Sequence, residues 1–366
     1  LAADTYPPGA AATGRGIYYW AGTDKNYTVF ADKIWSNTTD LGVTLSGTTG
    51  RCWFAETPQT FGQGQRLMVS DGTKLYSINT SDTVTTISTS SDAQFPTSNL
   101  GPVLYFDSYI VLGKANGELW NSDVDTAEAW TSTSFLASEM FGDDQEAILR
   151  QKDQILSLGK NAVEFYFNNQ GPVGSPFQRI DQNAIQIGLA SKNGLAQMGE
   201  VILFPAKNKQ EEYSVWLIDG LSTLKKVSGP AQERLIKGEG SSLSSCTAFI
   251  IRSQGHVFYF LNLSSASRTL VYDVTIDRWD EAADTAGNKF NCISATEKNG
   301  VIYMQDATNG RTYTYSPTTF QDNGTNFTVT LQTDKYNHDS SYCKHGHGLY
   351  IEGDLTTGNL GIAVSD

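Results

Sequence analysis

Short apolar runs separated by turn residues recur along the chain. Each copy has an apolar run, a turn with Gly, Asn or Asp, and an aromatic-bearing run that ends in Asn, Asp or Ser. Such runs between turn residues are typical of β-strands. Seven copies are found, and their first apolar residues are Ile17, Leu67, Ile110, Ile155, Val201, Val257 and Val301. The pattern predicts a β-rich chain of about seven strand-turn-strand modules.

The average spacing of these modules is about 47 residues, which is typical of propeller blades. A four-stranded blade cannot bury both faces alone, so blades pack face to face around an axis. We therefore predict an all-β fold, with a β-propeller of about six to eight four-stranded blades over residues 1–316. A β-sandwich is the alternative, although it has no reason to repeat one strand ending at this period. The pattern leaves open whether the first and last modules share one blade by strand exchange, or whether the first belongs to a neighbouring domain.

Helical patterns are weak. Residues 143–149 and 231–237 are the best candidates, each about two turns at most. Two stretches, one from Asn121 to Trp130 and one from Val271 to Trp279, are similar to Asp-box hairpin turns. In such turns carboxylates bind turn amides and the Trp packs between strands. We expect these turns to maintain geometry at the periphery of the propeller, with carbohydrate contact as the alternative.

The net charge of the chain argues against a dedicated nucleic-acid-binding site. The chain has 26 Lys and Arg against 39 Asp and Glu, which gives a formal net charge of −13, and a chain of that sign repels phosphates. No run of eighteen apolar residues and no basic, then apolar, N-terminal segment is visible, so we expect no membrane anchor and no signal peptide. The first residue is not Met, which indicates a processed or partial chain.

The densest metal-like cluster is formed by Cys343, His345 and His347, which would share one face of an extended strand. Against a metal site stand the absence of a fourth ligand at standard spacing and the two glycines nearby. The four cysteines are far apart in sequence, so free thiols are expected. No nucleophile elbow or phosphate-binding loop is present. We therefore predict no catalytic residues, no cofactor and no enzymatic activity.

Segments within residues 157–236 carry a family resemblance. They read SLGKNAVEFYFNNQG, SPFQRIDQNAIQIGLAS, MGEVILFPA, YSVWLIDG and LKKVSGPAQERLI, and this order resembles the packaged-DNA stabilisation proteins of short-tailed bacteriophages, also called tail hub or nozzle proteins. The final residues, 346–366, resemble the opening of that family's C-terminal β domain. Residues 317–366 are therefore expected to begin an incomplete C-terminal β-rich domain.

The resemblance implies a structural virion protein of the phage tail that is assembled in the host cytoplasm. It implies a homohexameric ring below the portal and adaptor proteins, next to tail fibre or needle proteins. Such a ring extends the DNA channel, retains the packaged genome and takes part in its ejection, while double-stranded genomic DNA passes through the lumen without specific binding. Candidate subunit or partner contacts are Phe177, Arg179 and Tyr336, with packing inside a blade as the alternative for the aromatic pair.

Two other functions stay open at this stage. The first is a carbohydrate-binding or sialidase-like propeller at a host cell surface, which the Asp-box-like turns and abundant aromatic residues favour. The second is a secreted, glycosylated scaffold, which six Asn-x-Ser/Thr sites would support. The carbohydrate-binding propeller would be a monomer or small oligomer, so the number of subunits distinguishes it from the ring. A mass increase from added hexose would identify the glycosylated scaffold.

Overall fold

The chain folds into seven four-stranded antiparallel sheets arranged as the blades of a propeller. The computed structural model describes residues 2–4, 10–137, 144–171, 174–180, 184–220, 223–319, 321–322 and 324–326. Within each blade consecutive strands pair with one another, and the first strands of neighbouring blades contact each other around the ring. The predicted all-β propeller of six to eight four-stranded blades is confirmed. The division of the chain at residue 316 stays a prediction.

The first three complete blades follow one another along the chain. Blade 1 consists of β2 (Gly14–Trp20), β3 (Lys25–Phe30), β4 (Lys33–Ser36) and β5 (Thr39–Thr44). Blade 2 consists of β6 (Trp53–Glu56), β7 (Arg66–Ser70), β8 (Leu75–Asn79) and β9 (Val84–Ile87). Blade 3 consists of β10 (Asn99–Phe106), β11 (Tyr109–Lys114), β12 (Glu118–Ser122) and β13 (Trp130–Ala137).

Blades 4 to 6 keep this plan, except that two short segments form the innermost strand of blade 5. Blade 4 consists of β14 (Gln145–Gln151), β15 (Gln154–Gly159), β16 (Val163–Asn168) and β17 (Phe177–Arg179). Blade 5 consists of β18 (Gly188–Leu189), β19 (Ala196–Met198), β20 (Val201–Lys207), β21 (Tyr213–Asp219) and β22 (Thr223–Lys226). Blade 6 consists of β23 (Thr247–Ser253), β24 (His256–Leu263), β25 (Arg268–Asp273) and β26 (Arg278–Ala282).

Blade 7 is completed by the two ends of the propeller. Its strands β27 (Cys292–Lys298), β28 (Val301–Asp306) and β29 (Thr312–Tyr315) come from the C-terminal side, and β1 (Ala2–Asp4) pairs with β29. The strand exchange that the sequence left open is therefore present. A short hairpin of β30 (Gln321–Asp322) and β31 (Thr325–Asn326) follows.

The repeat markers are in register for blades 2 to 7, where each lies in the second strand of its blade. In blade 1, Ile17 lies in the innermost strand β2, so the predicted first module begins one strand too early. The cause is that β2 carries the apolar GRGIYYW pattern, whereas the second strand, KNYTVF, begins with polar residues.

One of the two helix predictions is confirmed and the other is wrong. Residues 231–237 lie in α1 (Pro230–Glu239), which begins with Pro at its first position and is followed by the 3₁₀ helix η1 (Gly240–Ser245). Residues 145–149 instead lie in strand β14, which pairs with β15. The segment QEAILRQ consists mostly of strong helix formers, but pairing within blade 4 overrides this intrinsic preference.

Helix α1 is anchored between blades 5 and 6. Ile236 is fully buried in the apolar cluster that these blades share. Glu239 is 3% exposed, and its carboxylate accepts the backbone N–H groups of Ser265 and Ala266, both at 2.7 Å. The helix therefore packs against blades 5 and 6 instead of projecting from them.

Side chains from adjacent blades interdigitate at six joints. Buried apolar clusters span blades 1 and 2, 2 and 3, 3 and 4, 4 and 5, 5 and 6, and 6 and 7. Large aromatic residues fill much of this space, and the fully buried ones include Trp20, Tyr27, Tyr76, Tyr166 and Tyr259. Aromatic burial at every blade face explains why the chain needs so many Tyr, Phe and Trp residues.

Candidate functional site at the axial mouth of the propeller

A cavity of about 330 Å³, lined mostly by polar and charged residues, lies where several innermost strands begin. Its lining comes from blades 1, 2, 5, 6 and 7 and from η1. Contributions from five of the seven blades place this cavity around the propeller axis, at one end of the central channel. We call it the axial cavity; its basic lining residues are Arg15, Arg51 and Lys289.

Arg51 crosses the ring at this mouth. It lies just before β6 of blade 2, and its Nη1 donates to the carbonyl oxygens of Asn193 at 3.0 Å and Leu195 at 2.9 Å, both in blade 5. Its guanidinium also lies 4.2 Å from the ring centroid of Trp53. Burial lowers the pKa of Arg51 to about 10, so the side chain remains charged at neutral pH.

Arg15 holds the connection between blades 1 and 2. Its side chain donates from Nε to the Gly50 carbonyl at 2.7 Å and from Nη1 to the carbonyls of Ala31 at 2.9 Å and Gly47 at 2.5 Å. The residue is 2% exposed. A buried guanidinium is costly unless its donors are satisfied, and here every one of these acceptors is a neutral backbone carbonyl.

Lys192 makes a further link between blades that are not adjacent. Its Nζ donates to the Leu100 carbonyl of blade 3 at 2.8 Å. Burial lowers the pKa of Lys192, and the charge of Glu146 opposes this shift. Together with Arg51, this side chain bridges across the ring. The central channel is therefore closed by single side chains, and a DNA duplex is far wider than the gap that one arginine can span.

The structure places Phe177 in a packing role. It is 5% exposed and lies between blades 3 and 4, where its ring meets Phe106 edge-on at 5.8 Å and Tyr109 at 5.9 Å. Arg179 ends the same strand and is partly exposed. Phe177 therefore offers little surface to another subunit in this chain alone, and a contact role for either residue stays a prediction.

Four of the sequence-predicted site residues lie outside the described residues. They are the contact candidate Tyr336 and the metal candidates Cys343, His345 and His347. Within the described ranges, no group of three or more His, Cys, Asp and Glu side chains is placed to hold a metal ion. Cys52 and Cys246 are free and buried, and Cys292 is buried as well. Burial raises the pKa of the Cys52 thiol to about 12.

The first Asp-box-like turn lies at the outer edge of blade 3. Trp130 is 3% exposed, and its indole N–H donates to the Ala127 carbonyl at 3.1 Å. Asp123 accepts the Thr131 hydroxyl at 2.9 Å, and the backbone at Asp125 has a positive φ of 55°. The Trp packing agrees with the expected turn, although the Asp123 carboxylate binds a hydroxyl where a turn amide was expected.

The second such turn closes blade 6. Asp273 accepts the backbone N–H of Thr275 at 2.9 Å, as an Asp-box carboxylate would. Asp277, with a φ of 58°, accepts the Tyr272 hydroxyl at 2.5 Å, and the indole N–H of Trp279 donates to the Val227 carbonyl of blade 5 at 2.8 Å. Both turns are thus engaged in maintaining strand and blade geometry.

The axial cations were missed by sequence reasoning. Arg15, Arg51 and Lys289 belong to three different modules, and no local motif joins them. A signal exists only after the repeats are aligned: each of these residues lies at, or within a few residues before, the innermost strand of its blade. Equivalent positions in different blades converge at the axis, so cations placed there meet in space.

A comparison with protein families decides the identity of the fold. The family described as bacteriophage P22 Gp10, beta-propeller, matches residues 4–320. The chain belongs to this family. P22 Gp10 family membership confirms the resemblance to phage packaged-DNA stabilisation proteins. It makes the chain a structural bacteriophage protein of the virion.

Solved structures show the same fold at low identity to this P22 Gp10 family member. The extracellular domain of a one-component system from B. thetaiotaomicron matches with a TM-score of 0.54 and 11% identity, over 86% of this chain and 40% of that chain. Virginiamycin B lyase from Staphylococcus aureus matches with a TM-score of 0.51 and 11% identity, over 82% of this chain and 95% of that chain. None of the curated proteins compared with the chain matches it significantly. These likenesses concern the propeller fold alone.

In the part of the chain that the structure describes, no helix combines the length and the apolar character needed to cross a bilayer.

Proposed function

We propose that this protein is a tail hub or nozzle subunit that forms a homohexameric ring below the portal and adaptor proteins of a short-tailed phage. The observation that carries the proposal is the family match over residues 4–320, which includes all seven blades. In this role the ring extends the DNA channel, retains the packaged genome and takes part in its ejection.

The closed propeller axis supports a ring. Arg51 joins blade 2 to blade 5 directly, and Lys192 joins blade 5 to blade 3, so DNA cannot pass through one propeller without breaking these links. A conduit for duplex DNA must then lie between subunits. Rotationally repeated head-to-tail contacts close into such rings.

Charge supports a lumen through which DNA slides. The formal net charge is −13 per chain, and a negative wall repels the phosphate backbone instead of collecting it by counterion release. Genomic DNA would therefore pass without specific binding. Tail fibre or needle proteins are the proposed neighbours on the side away from the portal, with assembly in the host cytoplasm.

Native mass spectrometry of the purified protein, alone and with its portal and adaptor neighbours, tests this role. We expect a species of six copies of the 39.9 kDa chain that associates with a dodecameric portal-type ring. A chain that stays monomeric when offered these neighbours would contradict the proposal. Glycan binding by that monomer would favour the carbohydrate-binding alternative.

A further inference from the structure

We propose that the axial cavity binds a small, hydroxyl-rich molecule that carries an oxyanion, such as a sugar phosphate. This is a binding function beyond the structural role. Three cations, Arg15, Arg51 and Lys289, line the cavity, and its described lining includes no Asp or Glu. That concentration of positive charge is unusual in a chain with a formal net charge of −13.

The three cations lack an anionic partner among the described residues. Arg15 and Arg51 donate only to backbone carbonyls there. Lys289 is half-buried and forms no side-chain hydrogen bond or ion pair within that part of the chain. Charged groups removed from water are stabilised by charge-assisted hydrogen bonds to an oxyanion. An anion in the cavity would supply a partner for Lys289 and a counter-charge for Arg15 and Arg51.

The carboxylate of Asp306, which precedes the lining residue Ala307, is not available for this purpose. Asp306 is 3% exposed, and its oxygens accept the N–H groups of Thr308 at 2.7 Å and Asn309 at 2.9 Å, the Asn291 amide at 3.1 Å and the Tyr313 hydroxyl at 3.3 Å. These bonds hold Asp306 in the turn between β28 and β29. Its charge is satisfied by this turn and by the side-chain amide of Asn291, a residue of the cavity lining.

Size and neutral lining groups point to a sugar-sized ligand. A volume of about 330 Å³ lies at the lower end of the range for small-molecule pockets. Hydroxyl and amide side chains from five segments surround it, including Thr13, Asn193, Ser244, Asn262 and Ser294. Such groups both donate and accept hydrogen bonds, which suits the hydroxyls of a polyol next to the oxyanion.

Isothermal titration calorimetry with three probes tests the chemistry. We expect glucose 6-phosphate to bind the intact protein at one site per chain, inorganic phosphate to bind more weakly, and glucose to give no binding heat. Equal binding of glucose and glucose 6-phosphate would overturn the anion site. No binding of either phosphate probe would also overturn it.

Two lysine substitutions, one inside the cavity and one outside it, test the location of the binding site. Lys289→Gln removes a cavity cation that no described contact needs for folding, and Lys209→Gln removes an exposed lysine that does not line the cavity. Because a hydrogen bond to a charged group is worth roughly tenfold or more in affinity, we expect Lys289→Gln to weaken glucose 6-phosphate binding about tenfold. Lys209→Gln should leave it unchanged. Equal effects of the two variants would overturn the assignment.

A duplex competitor identifies the source of the phosphate. Adding a short double-stranded DNA at saturating concentration should not displace glucose 6-phosphate, because the cavity is too small for a duplex. Displacement that Lys289→Gln abolishes would overturn the small-molecule assignment in favour of the DNA backbone. The experiment needs no ring assembly, so its failure is separate from failure of the proposed tail role.

Discussion

The joint that closes the ring differs in chemistry from the other six. Apolar clusters fill the joints from blades 1 and 2 through to blades 6 and 7. Between blades 7 and 1, polar side chains of blade 7 bind the backbone of blade 1. Gln305 accepts the Gly16 N–H at 2.7 Å and donates to the Val29 carbonyl at 2.8 Å.

Two further side chains of blade 7 continue this pattern. The Tyr19 N–H donates to the Thr296 hydroxyl at 2.9 Å, and the Ile17 N–H donates to the Ser294 hydroxyl at 3.4 Å. Hydrogen bonds are directional and contribute less net free energy than burial of large apolar side chains. The six joints between sequence neighbours therefore supply most of the packing energy, and the closing joint specifies register between the two ends of the chain.

The largest effect should come from a cavity in an apolar joint. Leu67 is fully buried between blades 1 and 2, so Leu67→Ala should lower the free energy of unfolding by about 2–5 kcal/mol. Chemical denaturation measures this change. Val124→Ala, at a position that is 59% exposed, is the control and should change stability little.

A smaller loss should follow from Gln305→Ala in the closing joint. The substitution leaves the Gly16 N–H and the Val29 carbonyl without their partner, which costs roughly 1–3 kcal/mol in a buried setting. Hydrogen exchange should show faster opening of the Gly16 amide than in the unmodified protein. Gln59→Ala, at an exposed position, should do neither. A Gln305→Ala loss as large as that of Leu67→Ala would remove the contrast between the joints.

An ion pair at the blade 1 and 2 joint should contribute less still. The Asp82 carboxylate accepts hydrogen bonds from the Lys25 ammonium at 2.6 Å, the Tyr27 hydroxyl at 2.6 Å and the Ser36 hydroxyl at 3.1 Å. Asp82→Asn keeps the shape but loses the charge, so we expect a loss of about 1 kcal/mol at neutral pH. Asp153→Asn, at an exposed turn position, is the matched control in the same denaturation experiment.

Acid should remove the contribution of this carboxylate. Burial acts to raise the pKa of Asp82, but hydrogen bonds from Lys25, Tyr27 and Ser36 outweigh it and hold the pKa below its usual range. A lowered folded pKa means that the stabilisation is present above the ordinary aspartate value of about 3.9 and is lost as the pH falls below it. Stability measured from pH 5 to pH 2 should fall, with a shallower slope for Asp82→Asn. An unchanged slope would contradict the role of Asp82.

The smallest effect is expected at an exposed pair of similar design. The Asp277 carboxylate accepts hydrogen bonds from the Lys225 ammonium and the Tyr272 hydroxyl, both at 2.5 Å. The side chains of Asp277 and Lys225 are, however, 56% and 47% exposed. Solvent screening leaves such pairs with little net energy, so Lys225→Gln should cost at most about 0.5 kcal/mol. A loss of unfolding free energy equal to that of Asp82→Asn would show that solvent exposure does not determine how much the two ion pairs contribute to stability.

The repeat made the propeller predictable from the sequence. The chemistry of the joints between blades was not predictable in this way. Second-strand markers recur because the second strand of each blade carries apolar residues; Leu67 and Ile110 are buried, whereas Val257 is partly buried and Val301 is exposed. Helix formers in strand β14 misled the local assignment, since propensity does not report pairing with a neighbouring strand. Strand exchange at β1 could only be left open, because a three-residue strand carries too little pattern.

The candidate site depends on positions far apart in the chain. Arg15, Arg51 and Lys289 meet only because three blades bring equivalent positions to one axis. The partners of Arg15 and Arg51 are backbone carbonyls, which no side-chain pattern reveals. The sequence-based search for chemistry instead selected Cys343, His345 and His347, a local cluster outside the described residues.

Electron cryomicroscopy of the assembled ring with DNA tests the central claim most directly. The account predicts sixfold symmetry, a shared lumen that carries the DNA between subunits, and a closed axis in every propeller where Arg51 meets Asn193 and Leu195. DNA density along the axis of a single propeller, or particles without a ring, would contradict it.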